Sequence, residues 1–308
     1  MPPFTSILVD IDAMAAAHPA LERAAELARA CGAHLKIVDA LNLPSYAIRR
    51  LPGGTEEALV QGRRDRLALY ARGLSGIDVD VDVLRGRPST ALIQEVLRGK
   101  HDLLMRSHAR DLATARPRSF GAIDMQLFRY CPCPVGAVGP GATSPPRRIL
   151  VAVHANPEDE EEQQLNRKII GLAGSIGALY GASVTLFQAW TAFGEELLRS
   201  RMTDEEMTNY VEEARANAAA NLDALASSAG PEAARMTSEL RKGHPEEVIP
   251  AFVVSEGIDL VVMGTVARTG IAGLVIGNTA ERLLQRLLCS VLAVKPDGFR
   301  SPIQPGDA

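Results

Sequence analysis

Short apolar runs alternate with longer segments of helical spacing along the whole chain. Ile7 to Ile11 reads as a first strand, with Asp10 and Asp12 near its C-terminal end. Pro19 opens a helical pattern of Leu21, Ala24, Ala25, Leu27 and Ala28, and Gly32 stops it. His34 to Ala40 predicts a second strand, and Asn42 to Gly54, with Pro44, Pro52 and a glycine pair, predicts a loop. Thr55 to Leu74 has the composition of a charged helix, with Arg63, Arg64, Asp65 and Arg66 on a solvated face. Asp78 to Leu84 alternates valine with aspartate, as a half-buried strand does. Gly86-Arg87-Pro88-Ser89 then starts a helix running to about Leu97, Leu103 to Met105 is the next strand, and Cys133 to Val138 is the last before a Gly-, Pro- and Ser-rich linker, Gly139 to Pro146.

After Arg147 and Arg148 the order starts again. Ile149-Leu150-Val151-Ala152-Val153 echoes Ile7-Leu8-Val9-Asp10-Ile11 at an offset of 142, Gly243-His244-Pro245 echoes Gly86-Arg87-Pro88 at 157, and Cys289 echoes Cys133 at 156. Offsets that drift only by insertions mark a duplication. The division expected is residues 1–140 and 147–298. Alternation of strand and helix within each half predicts parallel sheets covered by helices, with right-handed crossovers. Such sheets bind ligands beyond the C-terminal ends of their strands, where Asp10, Asp12 and the glycine loop described next are expected to gather. The last strand of each half would otherwise be a bare edge, so the two are expected to pair and make one chain a pseudo-dimer.

The most informative stretch is Ile258 to Lys295. A buried strand, Leu260 to Met263, runs into a loop holding Gly264, Gly270, Gly273 and Gly277. Asn278 then opens a helix with Leu283, Leu284, Leu287 and Leu288, and Val291 to Val294 closes the segment as a strand. Strand, glycine loop and helix start are an arrangement that turns backbone N–H groups toward an anion. A plainer reading stands beside it: Gly277 makes a turn needing positive φ, and Asn278 with Glu281 forms a capping box that occupies the same amides.

The loop GTVARTGIAGLVIGNT resembles the phosphate-binding signature of the universal stress protein (UspA) family: G, two residues, G, nine residues, G, then Ser or Thr. Its four places fall on Gly264, Ala267, Gly277 and Asn278, so the spacing is kept while two residues depart from it. The G-N-T-A-E variant, Gly243 to Pro250 upstream, and the tandem length look like the E subfamily of that family. The resemblance implies two tandem Rossmann-like domains of the adenine nucleotide alpha hydrolase type, each a five-stranded parallel sheet flanked by helices. It implies adenine over Met263, ribose near Val153 and His154, and phosphates near Gly264, Ala267, Gly277, Asn278 and Thr279, with Arg268 adding charge. ATP is the ligand implied, with any magnesium carried by the nucleotide.

The two halves divide the family's pieces. The acid expected after the first strand is Asp12 in one half and His154 in the other. The loop places in the first half carry His108, Asp111, Gly121 and Ala122, so that half is expected to be a structural copy that binds no nucleotide phosphate.

Composition narrows the function. At 308 residues the chain suits two domains, a net charge of -4 offers no basic field for nucleic acid, and 4% aromatic content leaves little for base stacking. No apolar run is long enough to span a bilayer, the N-terminal MPPFTSILVD has no leader pattern, and four cysteines without dense spacing fit a reducing cytoplasm. Cys131-Pro132-Cys133-Pro134 has C-x-C spacing and reads as packing; six scattered histidines suggest no metal site. The acidic run Glu158 to Glu162 reads as a solubilising helix start, and Met202, Met207, Tyr210 and Val211 as helix packing. The expectation is a cytoplasmic regulatory protein of stress resistance, not an enzyme, with a nucleotide-like ligand in its C-terminal half and a homodimer as a further assembly. Two alternatives stay open: a slow adenine-nucleotide hydrolase, and an interaction scaffold without a small ligand.

Overall fold

A computed structural model describes residues 2–43, 52–107, 120–139, 142, 144–265 and 276–305. Its N-terminal half runs β1 (Ser6–Asp10), α1 (Pro19–Cys31), β2 (His34–Leu41), α2 (Thr55–Arg72), β3 (Val79–Arg85), α3 (Pro88–Gly99), β4 (Leu103–Ser107), α4 (Ala122–Tyr130) and β5 (Val135–Val138). The C-terminal half runs β6 (Arg148–Ala152), α5 (Glu160–Tyr180), β7 (Ser183–Trp190), α6 (Glu195–Leu198), α7 (Asp204–Ser228), β8 (Thr237–Lys242), α8 (Pro245–Glu256), β9 (Leu260–Gly264), α9 (Asn278–Leu284) and β10 (Ser290–Val294). The expected punctuation operates locally. Proline stands at the start of α1, α3 and α8, where its missing N–H costs nothing, and Gly32 and Gly181 close α1 and α5 in the left-handed region that glycine enters without strain. The strand expected from Cys133 begins at Val135, because Pro134 has no N–H for the ladder.

All ten strands form one sheet in the order β3-β2-β1-β4-β5-β10-β9-β6-β7-β8. Pairing is parallel within each half, and the two closing strands meet antiparallel, Val135 opposite Ala293 and Ala137 opposite Val291. The pseudo-dimer read from the duplication is therefore built through β5 and β10. Period-two alternation feeds two cores. Ile7, Val9, Ile149, Val151, Leu292 and Val294 face a layer made by α1, α2, α5 and α7. Leu8, Leu150, Val261, Met263, Val291 and Ala293 face the layer of α3, α4, α8 and α9. Both cores continue across the seam. Side chains add to it: Arg129 of α4 pairs with Glu281 of α9 at 2.5 Å, the buried Arg23 of α1 lies over the Tyr180 ring of α5, and Thr265 Oγ1 donates to the Phe128 carbonyl at 3.3 Å.

The antiparallel seam overturns one expectation. Because the halves run in opposite directions, the C-terminal strand ends of the first half lie at the sheet edge opposite those of the second. Asp10 and Asp12 therefore do not gather with the strand end at Gly264. Among the described residues no helix is long and apolar enough to cross a membrane.

Candidate ligand-binding cleft

At the C-terminal ends of β6 and β9 the chain leaves a cleft of about 380 Å³. Seven of the expected site residues line it: Val153, His154, Met263, Gly264, Gly277, Asn278 and Thr279. Ala267 and Arg268 lie outside the described residues. The floor is apolar, made by Met263 (3% exposed), Ile276 and Ile249 with Ala280 and Leu283 of α9. One wall is the first two turns of α5, seated on the opposite face of the sheet from α8 and α9. Gly264 permits that seating, since a methyl group added there would come within 2.6 Å of Leu165 Cδ2.

The α5 wall carries Glu162, a member of the acidic run that sequence reasoning assigned to a solubilising helix start. Asp159 caps the helix by accepting from Glu162 N at 2.9 Å, as the acidic run suggested. Glu162 itself turns into the cleft and meets His154 Nδ1 at 3.1 Å. Asn166, buried, donates to the His154 carbonyl at 2.8 Å, and the buried Gln188 of β7 accepts from Ala155 N at 3.1 Å. The β6–α5 turn is thus held from two sides. Acids in a first helical turn are common, so the sequence held no signal separating Glu162 from its neighbours.

The opposite wall corrects the capping reading. Gly277, not Asn278, is the N-cap of α9, with φ −63 and ψ 139 and no side-chain cap bond. It needs no left-handed backbone, so the expected positive φ is absent. Asn278 is the first helical residue, one position too late to cap. Glu281 is correspondingly out of place for a capping box and pairs with Arg129 across the seam instead. The helix ends at Leu284, with Leu287 buried beyond it and Leu288 exposed.

The N-terminal half shows what the same topology becomes when the space is filled. The last registered pair of its β1–β4 ladder is Asp10 with Arg106; the corresponding pair of β6–β9 is Ala152 with Met263. Arg106 reaches Asp10 at 3.2 Å and also bonds Asp124, the third residue of α4. Asp124 in turn accepts from Gly121 N at 2.8 Å and so closes the helix N-terminus. Burial pushes the Asp10 carboxyl above its usual range, against the pull of Arg106. Burial works against the Arg106 charge too, but the carboxylates of Asp124 and Asp10 outweigh it and raise its pKa. Asp12 is exposed and stands 3.5 Å from Arg63, whose firmer partner is the buried Asp39 at 2.5 Å. Arg63 is thus a structural ion-pair residue rather than part of a solvated face. His108 and Asp111 lie outside the described residues; Gly121 and Ala122 begin α4.

The cysteines fall where small packing groups were expected. Cys131 and Cys133 are buried with sulfurs 3.5 Å apart, and burial, first of all, raises the Cys133 thiol well above its ordinary value. Cys289 precedes β10, its thiol pushed up to about 12 by burial.

Two helix-flanked parallel sheets joined edge to edge, with an open cleft at one set of strand ends, define a tandem Rossmann-like α/β protein. The chain belongs to the universal stress protein family, whose model matches residues 3–139 and again 146–295. It is similar to universal stress protein E of Escherichia coli (strain K12), 30% identical over 317 residues covering 99% of this chain and 98% of that one. Universal stress protein E of Photorhabdus laumondii is 28% identical, covering 98% of each. Among solved structures, a chain from Pseudomonas aeruginosa UCBPP-PA14 described as a universal stress protein covers 96% of this chain and 95% of its own, at 25% identity and a TM-score of 0.71. A universal stress protein from Archaeoglobus fulgidus DSM 4304 shares the fold at 14% identity and a TM-score of 0.66.

Proposed function

We propose that this chain is a cytoplasmic regulatory stress protein that binds one adenine nucleotide, in the cleft of its C-terminal half (residues 147–298), and catalyses no dedicated reaction. The N-terminal half (1–140) acts as its built-in structural partner. The observation that carries this reading is the convergence of Val153, His154, Met263, Gly264, Gly277, Asn278 and Thr279 on one cleft, beside the ion-pair plug that fills the corresponding space of the other half. The apolar floor suits a flat base over Met263, and the N-cap of α9 is Gly277, which has no side chain to place on the first amides. Val153 and His154 would flank the sugar. Gly264, Gly277, Asn278 and Thr279, together with Ala267 and Arg268, would take the phosphates, and magnesium would arrive only with the nucleotide.

Calorimetry of the full chain with ATP tests the reading. One site per chain is expected. Met263→Arg, which imports the residue that fills the N-terminal half, is expected to abolish the heat. Asp12→Ala is expected to leave affinity within about twofold, under roughly 0.5 kcal/mol. Two sites per chain, or a tenfold loss with Asp12→Ala, would overturn the assignment; no heat from the parent would favour the ligand-free scaffold.

A further inference from the structure

Of the chain's five lysines, four are paired or open to solvent. Lys36 pairs with Glu95 at 2.5 Å, Lys168 with Asp297 at 2.6 Å and Lys242 with Glu195 at 2.8 Å, while Lys100 is exposed at the end of α3. Lys295 differs from all of them. It follows β10 directly and is 3% exposed, and among the described residues no carboxylate stands within ion-pair reach of it. Its Nζ lies 4.8 Å from the centre of the Phe299 ring. From the N-terminal half it is faced by Cys131, at the end of α4, whose sulfur is 3.5 Å from that of Cys133. From α5, Lys168 donates to the Lys295 main-chain carbonyl and engages Asp297, the acid of the same segment. Burial pulls the Lys295 amine down from 10.5 to about 8, against an opposing pull from Cys131. Roughly one Lys295 in ten is then an uncharged amine at pH 7, against roughly one in three thousand for an ordinary lysine. The segment over the amine begins as a short turn, with Phe299 N donating to the Pro296 carbonyl at 3.3 Å and Asp297 and Gly298 exposed. Further on, Ile303 packs against the core under α3 and α4, and the Gln304 carbonyl accepts from Gln94 of α3 at 3.2 Å. A surface turn of this kind opens locally at far less cost than the sheet beneath it.

We propose that Lys295 is a covalent site for small neutral aldehydes, which it captures as a Schiff base at the seam between the halves. The amine lone pair attacks the carbonyl carbon and the carbonyl π electrons move onto oxygen. The resulting carbinolamine loses water, so a C=N bond replaces C=O and no oxidant, reductant or cofactor enters the step. The surroundings favour this electrophile over a charged one. An aldehyde enters without shedding the hydration of an ion, whereas an acyl phosphate or other anion would lose its own. Exclusion of water slows the hydrolysis that returns an imine to amine and aldehyde. The imine is also a weaker base than the amine, so capture relieves a charge that burial opposes and that no carboxylate offsets. The site is separate from the nucleotide cleft and does not depend on it.

The test is reductive alkylation of the folded full-length chain with acetaldehyde and cyanoborohydride, read lysine by lysine by peptide mapping and mass spectrometry. At pH 7 Lys295 is expected to be ethylated at least about threefold faster than the exposed Lys100, with a rate that levels off as pH passes about 8. Lys295→Arg, which keeps the charge and removes the nucleophile, is expected to abolish that fast labelling and leave Lys100 unchanged. Acetaldehyde without reductant is expected to raise the melting temperature of the parent at pH 7 relative to Lys295→Arg. Labelling of Lys100 as fast as or faster than Lys295 overturns the proposal, and the parent alone decides this if the variant fails to fold. Label reaching Lys295 only as urea unfolds the chain also overturns it, as do equal melting shifts in parent and variant.

Discussion

The two halves of this chain share one topology and use charge in opposite ways. At the C-terminal ends of its strands the N-terminal half carries Asp10, Arg106 and Asp124 where the C-terminal half has Ala152, Met263 and Ala280. At the other end of its strands it buries Glu95 (2% exposed) and His101 with Lys36, whereas Phe252 of the second half packs on Phe187 with ring centres 5.0 Å apart. One copy is therefore plugged and pinned by buried ions, and the other keeps an apolar floor and is left open. Duplication allows this division, because a half that no longer needs a cleft is free to fill it, and the open half keeps the partner that covers its closing strand.

Breaking the plug is expected to have the largest effect. Arg106→Met alone strands two buried carboxylates and is expected to cost about 3–5 kcal/mol, read by urea denaturation. Arg106→Met combined with Asp10→Ala and Asp124→Ala installs the residues of the open half. That triple variant is expected to recover all but about 1 kcal/mol, the residue being the lost cap on Gly121 N. Additive single-site costs in the triple would show that the three charges do not act as a unit.

Acid sharpens the contrast at the opposite end. Burial works against the Glu95 charge, but His101 at 3.8 Å, the hydrogen bond from Lys36 and the charges of Lys36 and Arg98 outweigh it and bring its pKa down from 4.5 to about 2. Between those values the unfolded chain binds more protons than the folded one. The stabilisation is thus full above pH 4.5 and is lost as pH falls through about 2, up to roughly 3 kcal/mol. Glu95→Gln is expected to lower stability at neutral pH and to flatten the fall between pH 4.5 and 2. An equally steep acid limb in the variant would assign the loss to other carboxylates.

The smallest effect belongs to the bridge between the halves. Arg129 and Glu281 lie 2.5 Å apart with about a third of each side chain exposed, 33% and 30%. A double-mutant cycle is expected to give about 0.2–1 kcal/mol, decreasing with added salt. A larger coupling would mean that the halves lean on this pair, and not mainly on the ladder between β5 and β10.

The strands and most helix starts were legible because their signals are local. A two-residue period, a proline in a first turn or a glycine after a last turn carries the same meaning wherever the chain goes. The expected cleft residues were legible for a related reason: they sit at strand ends and on the connections beside them, and parallel topology brings such places together. The plug was not legible. Asp10 and Arg106 are 96 positions apart, and Arg106 and Asp124 are 18 apart, so no local pattern linked them until the β1–β4 register set Asp10 and Arg106 side by side. Asn278 and Glu281 misled because a capping box depends on the helix start, and a shift of one residue turned a cap into a seam contact.

The sequence by itself determined that this chain is two α/β halves, which of them keeps an apolar strand end beside a glycine loop, and which strands close each sheet. Those facts are written in periodicity, in repeat offsets and in residue types. Only the tertiary structure decided that the halves meet antiparallel, which sends Asp12 to the edge away from Gly264. It alone set Arg106 between two carboxylates and Glu162 inside the cleft rather than in solvent. The physical reason is common to all three. Burial and pairing of a charge depend on which distant elements pack around it, and no local pattern records that choice.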